Sequence, residues 1–109
     1  MNASTSVVEL KDIIIATLDK YKAEDIAVID LKNKSDIADF MVIATGRSSK
    51  HVVSTAEFVI AEIKNAGMPC LVEGMKNSDW VLIDALDILV HIFNKEKREH
   101  YSLEKLWQD

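Results

Sequence analysis

Three histidines, one cysteine and two spaced pairs of aspartates are the side chains here that could hold a metal or move a proton. His51, His91 and His100 stand far apart. No His-x-His, His-x-x-x-His or Cys-x-x-Cys spacing brings two ligands onto one strand or one helical turn, so no metal site is expected. His91 lies in an apolar run, where a histidine is most often a hydrogen-bonded structural group. Cys70 sits beside Pro69 and Leu71 in a strand-like stretch with no cationic neighbour to activate it, and reads as a buried, inert thiol. Asp36 with Asp39 and Asp84 with Asp87 are the carboxylate pairs. Catalysis by such pairs needs surroundings that split their proton affinities, or a metal between them. Both pairs flank strands, where Asp commonly bonds the backbone of a turn. The segment Thr45-Gly46-Arg47-Ser48-Ser49-Lys50 combines two cations, hydroxyls and the free N–H groups of a helix start, and could hold an anion. It lacks the spacing of a P-loop and the three glycines of a dinucleotide fingerprint. A tight turn with an N-cap serine accounts for it, and no cofactor is expected.

The elements that position these groups follow from periodicity. Val7, Leu10, Ile14, Leu18 and Tyr21 recur at helical spacing from Val7 to Tyr21, and Ser6-Val7-Val8-Glu9 is a capping-box pattern. Ile26 to Leu31 reads as a strand and Asn33 to Asp36 as a turn. Phe40 to Thr45 is a continuous apolar run, the mark of a central strand buried on both faces, which Gly46 breaks. Ser48 or Ser49 opens a second helix with an apolar stripe of Val52, Ala56, Val59, Ile60 and Ile63. Ala66-Gly67-Met68-Pro69 closes it. Three short strands follow at Cys70 to Glu73, Trp80 to Asp84 and Ile88 to Phe93. Asn94 to His100 is charged and helical in character, and Leu103, Leu106 and Trp107 make a last amphipathic turn.

The expected architecture is one α/β domain spanning residues 1–109, in the order αββαβββα, with a five-stranded mixed sheet and helices mainly on one face. Two good helices cover one face of such a sheet but hardly both, which leaves the other open. Side chains alternate along a strand. Val81 and Ile83, with Ile88, Val90 and Ile92, form all-aliphatic sets suited to the core. The opposite sets hold Trp80, Leu82 and Asp84, with Leu89, His91 and Phe93. That mixture is how a protein-binding patch is composed. Packing of Trp80 and Phe93 under the C-terminal helix fits the pattern equally well.

The chain of 109 residues is 49% hydrophobic and 28% charged, so it can build a core unaided and is not disordered. Eighteen acids against thirteen bases give a net charge of −5, poorly suited to gripping a phosphate backbone and better suited to a basic protein surface. One cysteine fits a reducing compartment. No apolar run reaches the ~18 residues of a membrane span, and the short polar N-terminus carries no signal-peptide pattern. A cytoplasmic protein, or the mature part of an organellar one, is expected.

Taken together, the residues resemble the ribosomal silencing factor family, also called Iojap-like. The likeness runs from Leu10 to Trp107 through an ordered set of elements. These are Asp39-Phe40-Met41-Val42-Ile43-Ala44-Thr45-Gly46-Arg47-Ser48, Glu73-Gly74, Trp80-Val81-Leu82-Ile83-Asp84, Val90-His91-Ile92-Phe93, Arg98, Tyr101 and Leu103-Glu104-Lys105-Leu106-Trp107. It departs from the pattern at Asp84-Ala85-Leu86-Asp87, where the family usually has an aromatic residue and a glycine between the two acids. The resemblance implies a nucleotidyltransferase-like fold that has lost its catalytic acids, and a role as a translational repressor. It implies binding to the large ribosomal subunit through the basic universal large-subunit protein numbered fourteen, at the intersubunit face. Joining of the small subunit would then be hindered sterically, with little direct contact to nucleic acid and none to membrane. Self-association as a homodimer is implied too.

Two classes of function follow. In the first the chain is a binding module, with a partner-binding patch on Glu73, Trp80, Leu82, Asp84, His91, Arg98 and Tyr101. In the second it is an active nucleotidyltransferase using the Gly46-Arg47-Ser48 turn. Active members of that fold usually place an acidic pair on the strand after such a turn. Here helix-pattern residues follow Ser48, which counts against catalysis.

Overall fold

The ends of the first helix explain its length. In a computed structural model, which describes residues 6–34, 36–76 and 79–101, α1 (Val7–Lys20) opens on Ser6. The Ser6 hydroxyl accepts from the Glu9 N–H at 3.0 Å, and the Glu9 carboxylate accepts from the Ser6 N–H at 2.8 Å. This is the reciprocal capping box that the sequence predicts. α2 (Ser49–Asn65) opens on Ser48, which accepts from the His51 N–H at 3.0 Å. It ends with Gly67 in the left-handed region at φ 83°, where Gly67 N donates to Lys64 O and Met68 N to Ile63 O. α1 ends by the same pair of bonds, from Lys22 N to Asp19 O and from Ala23 N to Leu18 O. Its left-handed residue, however, is Lys22 at φ 70°. No glycine marks that end, which the apolar spacing places at Tyr21, the C-cap.

The strands are β1 (Glu24–Asp30), β2 (Phe40–Gly46), β3 (Leu71–Glu73), β4 (Trp80–Asp84) and β5 (Ile88–Asn94), and α3 (Lys95–Tyr101) follows them. They form one sheet in the order β1-β2-β5-β4-β3. β2 and β5 run parallel at its centre, and the other neighbours are antiparallel. The sheet is therefore mixed, and the element order is αββαβββα as expected.

Several boundaries differ from the sequence reading. Gly46 does not break β2, because the parallel ladder carries on until Gly46 faces Asn94. β1 begins earlier, at Glu24, through an irregularity between Glu24 and Ala27 where Asp25 adopts φ 49°. Cys70 lies ahead of β3 and is half-buried against the core, so it is neither in the strand nor fully enclosed. The amphipathic turn expected at Leu103, Leu106 and Trp107 lies outside the described residues.

α1 and α2 pack on one face of the sheet. Leu10, Ile14 and Leu18 of α1 and Val52, Ala56, Val59 and Ile63 of α2 meet Val42 and Ala44 of β2, Val81 and Ile83 of β4, and Ile88, Val90 and Ile92 of β5. All are buried, each worth roughly 1.5–3 kcal/mol for a Val, Leu or Ile side chain. The opposite face gathers Ile29, Leu31, Ala38, Met41, Ile43 and Phe93, with Trp80 and Leu89 packed against them. α3 lies over the Thr45 end of this second face and is held there by Arg98.

A candidate docking face

Strand register assembles the second face row by row. Trp80 of β4 faces Phe93 of β5, which faces Thr45 of β2. In the next row Glu73 of β3 faces Leu82, Leu82 faces His91, and His91 faces Ile43. In the third, Leu71 faces Asp84 and Asp84 faces Leu89. Glu73, Trp80, Leu82, Asp84 and His91 are thus brought together on one surface, as alternation predicts for the last four. Exposure along that surface is uneven. Met41, Ile43, His91 and Phe93 are buried at the centre, whereas Trp80, Leu82 and Asp84 are half-buried and Glu73 and Leu71 exposed toward β3. Glu73, Gly74, Trp80 and Leu82 line an open depression of about 300 Å³ at that edge.

Gly74 is required there. Its φ is 94°, and a Cβ at this position would stand 2.1 Å from the Trp80 carbonyl oxygen. The Glu73-Gly74 pair in the sequence therefore marks a place where one backbone closes on another.

The depression's main wall is aromatic. Trp80 stacks on Phe93 with ring centroids 4.9 Å apart, and its indole N–H donates to His91 Nδ1 at 3.0 Å. His91 in turn stacks on Phe93 at 5.8 Å and 7°. Burial pushes the His91 imidazole down from 6.5 to about 4, so the ring is neutral at pH 7 and can offer Nδ1 as an acceptor. The structural-histidine reading holds. His91 is only 6% exposed, so it holds the edge of Trp80 with almost no contact surface of its own.

The other patch residues fall differently. Asp84 stays on the surface, with Oδ1 accepting from the Leu86 N–H at 3.0 Å in the turn to β5. Leu86 occupies φ 70° at the position where the family usually has glycine, so the turn keeps a left-handed residue despite the substitution. Arg98 is turned toward its own chain: Nη1 donates to the Asp25 carbonyl and to Thr45 Oγ1. Tyr101 ends α3, and its side chain lies outside the described residues.

Sequence reasoning missed Asp79. Its Oδ1 accepts from Ser49 Oγ at 3.2 Å and from Asn94 Nδ2 at 2.9 Å, and its carbonyl accepts from Asn94 N. It ties the start of β4 to the start of α2 and to the residue that caps α3. The signal was a lone Asp before a strand, which spacing alone does not separate from any turn residue.

The turn from Thr45 to Lys50 commits its hydroxyls and the Arg47 N–H within the chain. His51 Nδ1 accepts from the Arg47 N–H at 2.8 Å, and its Nε2 lies 2.8 Å from the Tyr21 carbonyl, which fixes the tautomer with the proton on Nε2. His51 therefore fastens the end of α1 to the start of α2. Among the described residues, no group of three His, Cys, Asp or Glu side chains is placed to hold a metal ion, and no helix is long and apolar enough to cross a membrane.

The sequence model of a family described as "Ribosomal silencing factor during starvation" matches residues 4–109. The chain belongs to the ribosomal silencing factor family. A ribosomal silencing factor of Zymomonas mobilis is 46% identical over 99 residues, covering 90% of this chain and 74% of that one. The crystal structure of a Chromobacterium violaceum protein superposes with a TM-score of 0.91 at 32% identity, covering 95% of this chain and 89% of the other. A mouse protein named for mitochondrial assembly of the ribosomal large subunit is 29% identical over 102 residues, spanning 88% of this chain and 44% of its own length. The silencing-factor resemblance carried by Asp39 to Ser48, Glu73-Gly74 and Trp80 to Asp84 thus meets an independent match.

Proposed function

We propose that this silencing-factor chain represses translation in the cytoplasm by docking on the large ribosomal subunit and hindering small-subunit joining. The partner is a basic ribosomal protein at the intersubunit face, for which the family resemblance implies universal large-subunit protein fourteen. The work is steric: no bond is made or broken. The observation that carries this reading is the half-open end of the second face. There Trp80 and Leu82 offer apolar area in an open depression that Glu73 also lines, and Asp84 stands one strand row beyond Leu82. An apolar centre with a charged rim is the composition of a protein interface. The acidic excess of the chain suits a basic partner over RNA. The large-subunit assembly role in the mouse relative's name points to the same target. The nucleotidyltransferase alternative needs the Gly46-Arg47-Ser48 turn to face a substrate, yet its Arg47 N–H and Ser48 hydroxyl are committed within the chain.

Added to separated subunits before mixing, the protein should co-sediment with large subunits and reduce the joined-ribosome peak. Unchanged joining at saturating protein would end this reading. Trp80→Ala should lower affinity about 30-fold, the equivalent of ~2 kcal/mol at an interface tryptophan. Glu73→Lys, on the exposed edge, should weaken binding while moving stability by no more than about 0.5 kcal/mol. Association should slow as salt brings the Debye length below ~10 Å.

A further inference from the structure

Trp80 can turn about its side-chain torsions, and stacking on Phe93 does not by itself choose an orientation. Rotating the indole by half a turn would keep the rings stacked while exchanging the N–H edge for the six-membered edge. Something must select one. We propose that His91 is the positioning residue of the docking face: by accepting the indole N–H on Nδ1, it fixes the orientation in which Trp80 presents its ring to the depression. This inference rests on the docking reading above and names what sets the geometry of that surface.

Register brings the two residues together. Trp80 faces Phe93 and Leu82 faces His91, so Trp80 and His91 are diagonal neighbours on one side of adjacent strands. Their rings are 5.8 Å apart and tilted by 34°, an edge approach that carries the 3.0 Å hydrogen bond. His91 is itself immobilised by burial and by its parallel contact with Phe93, so it is a fixed reference for the indole. Burial also keeps it neutral, which leaves the Nδ1 lone pair free to accept. The consequence for recognition is specific. The N–H is engaged at His91, so it is not what Trp80 offers a partner, and selectivity comes from ring placement.

The test separates positioning from packing. His91→Leu fills similar volume without an acceptor, whereas His91→Asn sets an amide oxygen near the place of Nδ1. A third protein carries 3-benzothienylalanine at position 80, which keeps the ring and deletes the N–H while His91 stays. Trp80 has one of the two indole N–H resonances of the chain, assigned by its loss in Trp80→Phe. In His91→Leu, solvent exchange of that N–H should accelerate at least ~10-fold. Affinity of His91→Leu and of the benzothienyl protein for purified large subunits should fall about tenfold, the equivalent of one hydrogen bond. His91→Asn should stay within about threefold of the parent on both readouts. Urea midpoints confirm that the compared proteins are folded, and the benzothienyl protein decides the matter if His91→Leu is not. Unchanged indole exchange in His91→Leu would overturn the proposal, as would parent-like binding by the benzothienyl protein. If Trp80→Ala also binds like the parent, the docking surface lies elsewhere and both readings fail. If Trp80→Ala binds weakly while the other variants bind normally, the docking face stands and the positioning role alone is lost.

Discussion

On the helix-covered face, Val42, Ala44, Val81, Ile83, Ile88, Val90 and Ile92 are sealed between sheet and helices with no exposed surface. The same three strands turn Met41, Ile43, Thr45, Trp80, Leu82, Asp84, His91 and Phe93 to the other side, where burial fades from the centre toward β3. The first set is chemically uniform, because it has only to fill space against α1 and α2. The second mixes aromatic rings, a neutral histidine and a carboxylate, and its order comes from directional contacts, among them the Trp80–His91 hydrogen bond and two ring stacks. Area stabilises one face, and geometry specifies the other.

Neighbours in β4 give the most direct way to break this contrast. Ile83 is fully buried on the helix face and Leu82 half-buried on the other, one residue apart. Ile83→Ala should cost about 3–4 kcal/mol, as emptied core sites do. Leu82→Ala should cost about 1 kcal/mol and act mainly on affinity. Urea unfolding with unchanged slopes measures both. Equal losses would mean that the two faces are equally load-carrying, and the distinction would fall.

Acidification, read as a difference between two proteins, probes the second face. The His91 pKa is lowered from 6.5 to about 4 on folding, so between these values the unfolded chain binds the extra proton. The resulting stability is fully present above pH 6.5 and is lost as pH falls toward 4. The loss amounts to about 3 kcal/mol at 1.36 kcal/mol per unit. His91→Asn removes this contribution and leaves the carboxylates untouched, so the difference between the two proteins' stability–pH curves isolates it. Parallel curves from pH 7 to 4 would show that His91 is not a buried neutral group.

Much of this was legible in residue type. Capping boxes and serine caps act within four residues, so Ser6-Glu9 and Ser48 announce α1 and α2 directly. Alternation in Trp80 to Asp84 and Ile88 to Phe93 sorted both faces correctly, because a strand's period of two leaves no freedom once the core side is fixed. What stayed hidden depends on contacts distant in sequence. The Trp80–His91 bond needs the β4–β5 register, Asp79 needs α2 and α3 beside it, and Arg98 reaches Asp25 across 73 positions. The family resemblance is what put Arg98 in a binding patch, and the fold directs its Nη1 to its own sheet.

A smaller effect tests whether the depression depends on backbone approach. Gly74→Ala forces a Cβ against the Trp80 carbonyl at 2.1 Å in a left-handed backbone, and neither atom can swing away. The expected cost is about 2 kcal/mol, with a fall in large-subunit affinity as Trp80 is displaced. Gly67→Ala is the control. It shares the positive φ but meets nothing within 4 Å, so it should cost about 1 kcal/mol and leave binding unchanged. If both variants lose stability alike and neither loses affinity, the close approach does not shape the site.

The smallest expected effect is a gain. Leu86 holds φ 70° in the turn between β4 and β5, 55% exposed, so it carries backbone strain with little packing to offset it. A left-handed L-residue costs roughly 1–2 kcal/mol, part of which glycine returns through its freer unfolded chain. Leu86→Gly should therefore stabilise the protein by about 0.5–1 kcal/mol, a rise of a few degrees in Tm for a domain of this size. The Leu86 N–H remains to donate to Asp84 Oδ1, so the turn is kept. That turn sets the register which puts Trp80 opposite Phe93, and a slip by one residue would send Trp80 to the helix face. The gain in Tm should consequently come with unchanged indole exchange at Trp80 and unchanged large-subunit binding. A higher Tm with altered indole exchange would mean that the strained leucine helps to hold the register, and that the second face depends on its turn as well as on its rings.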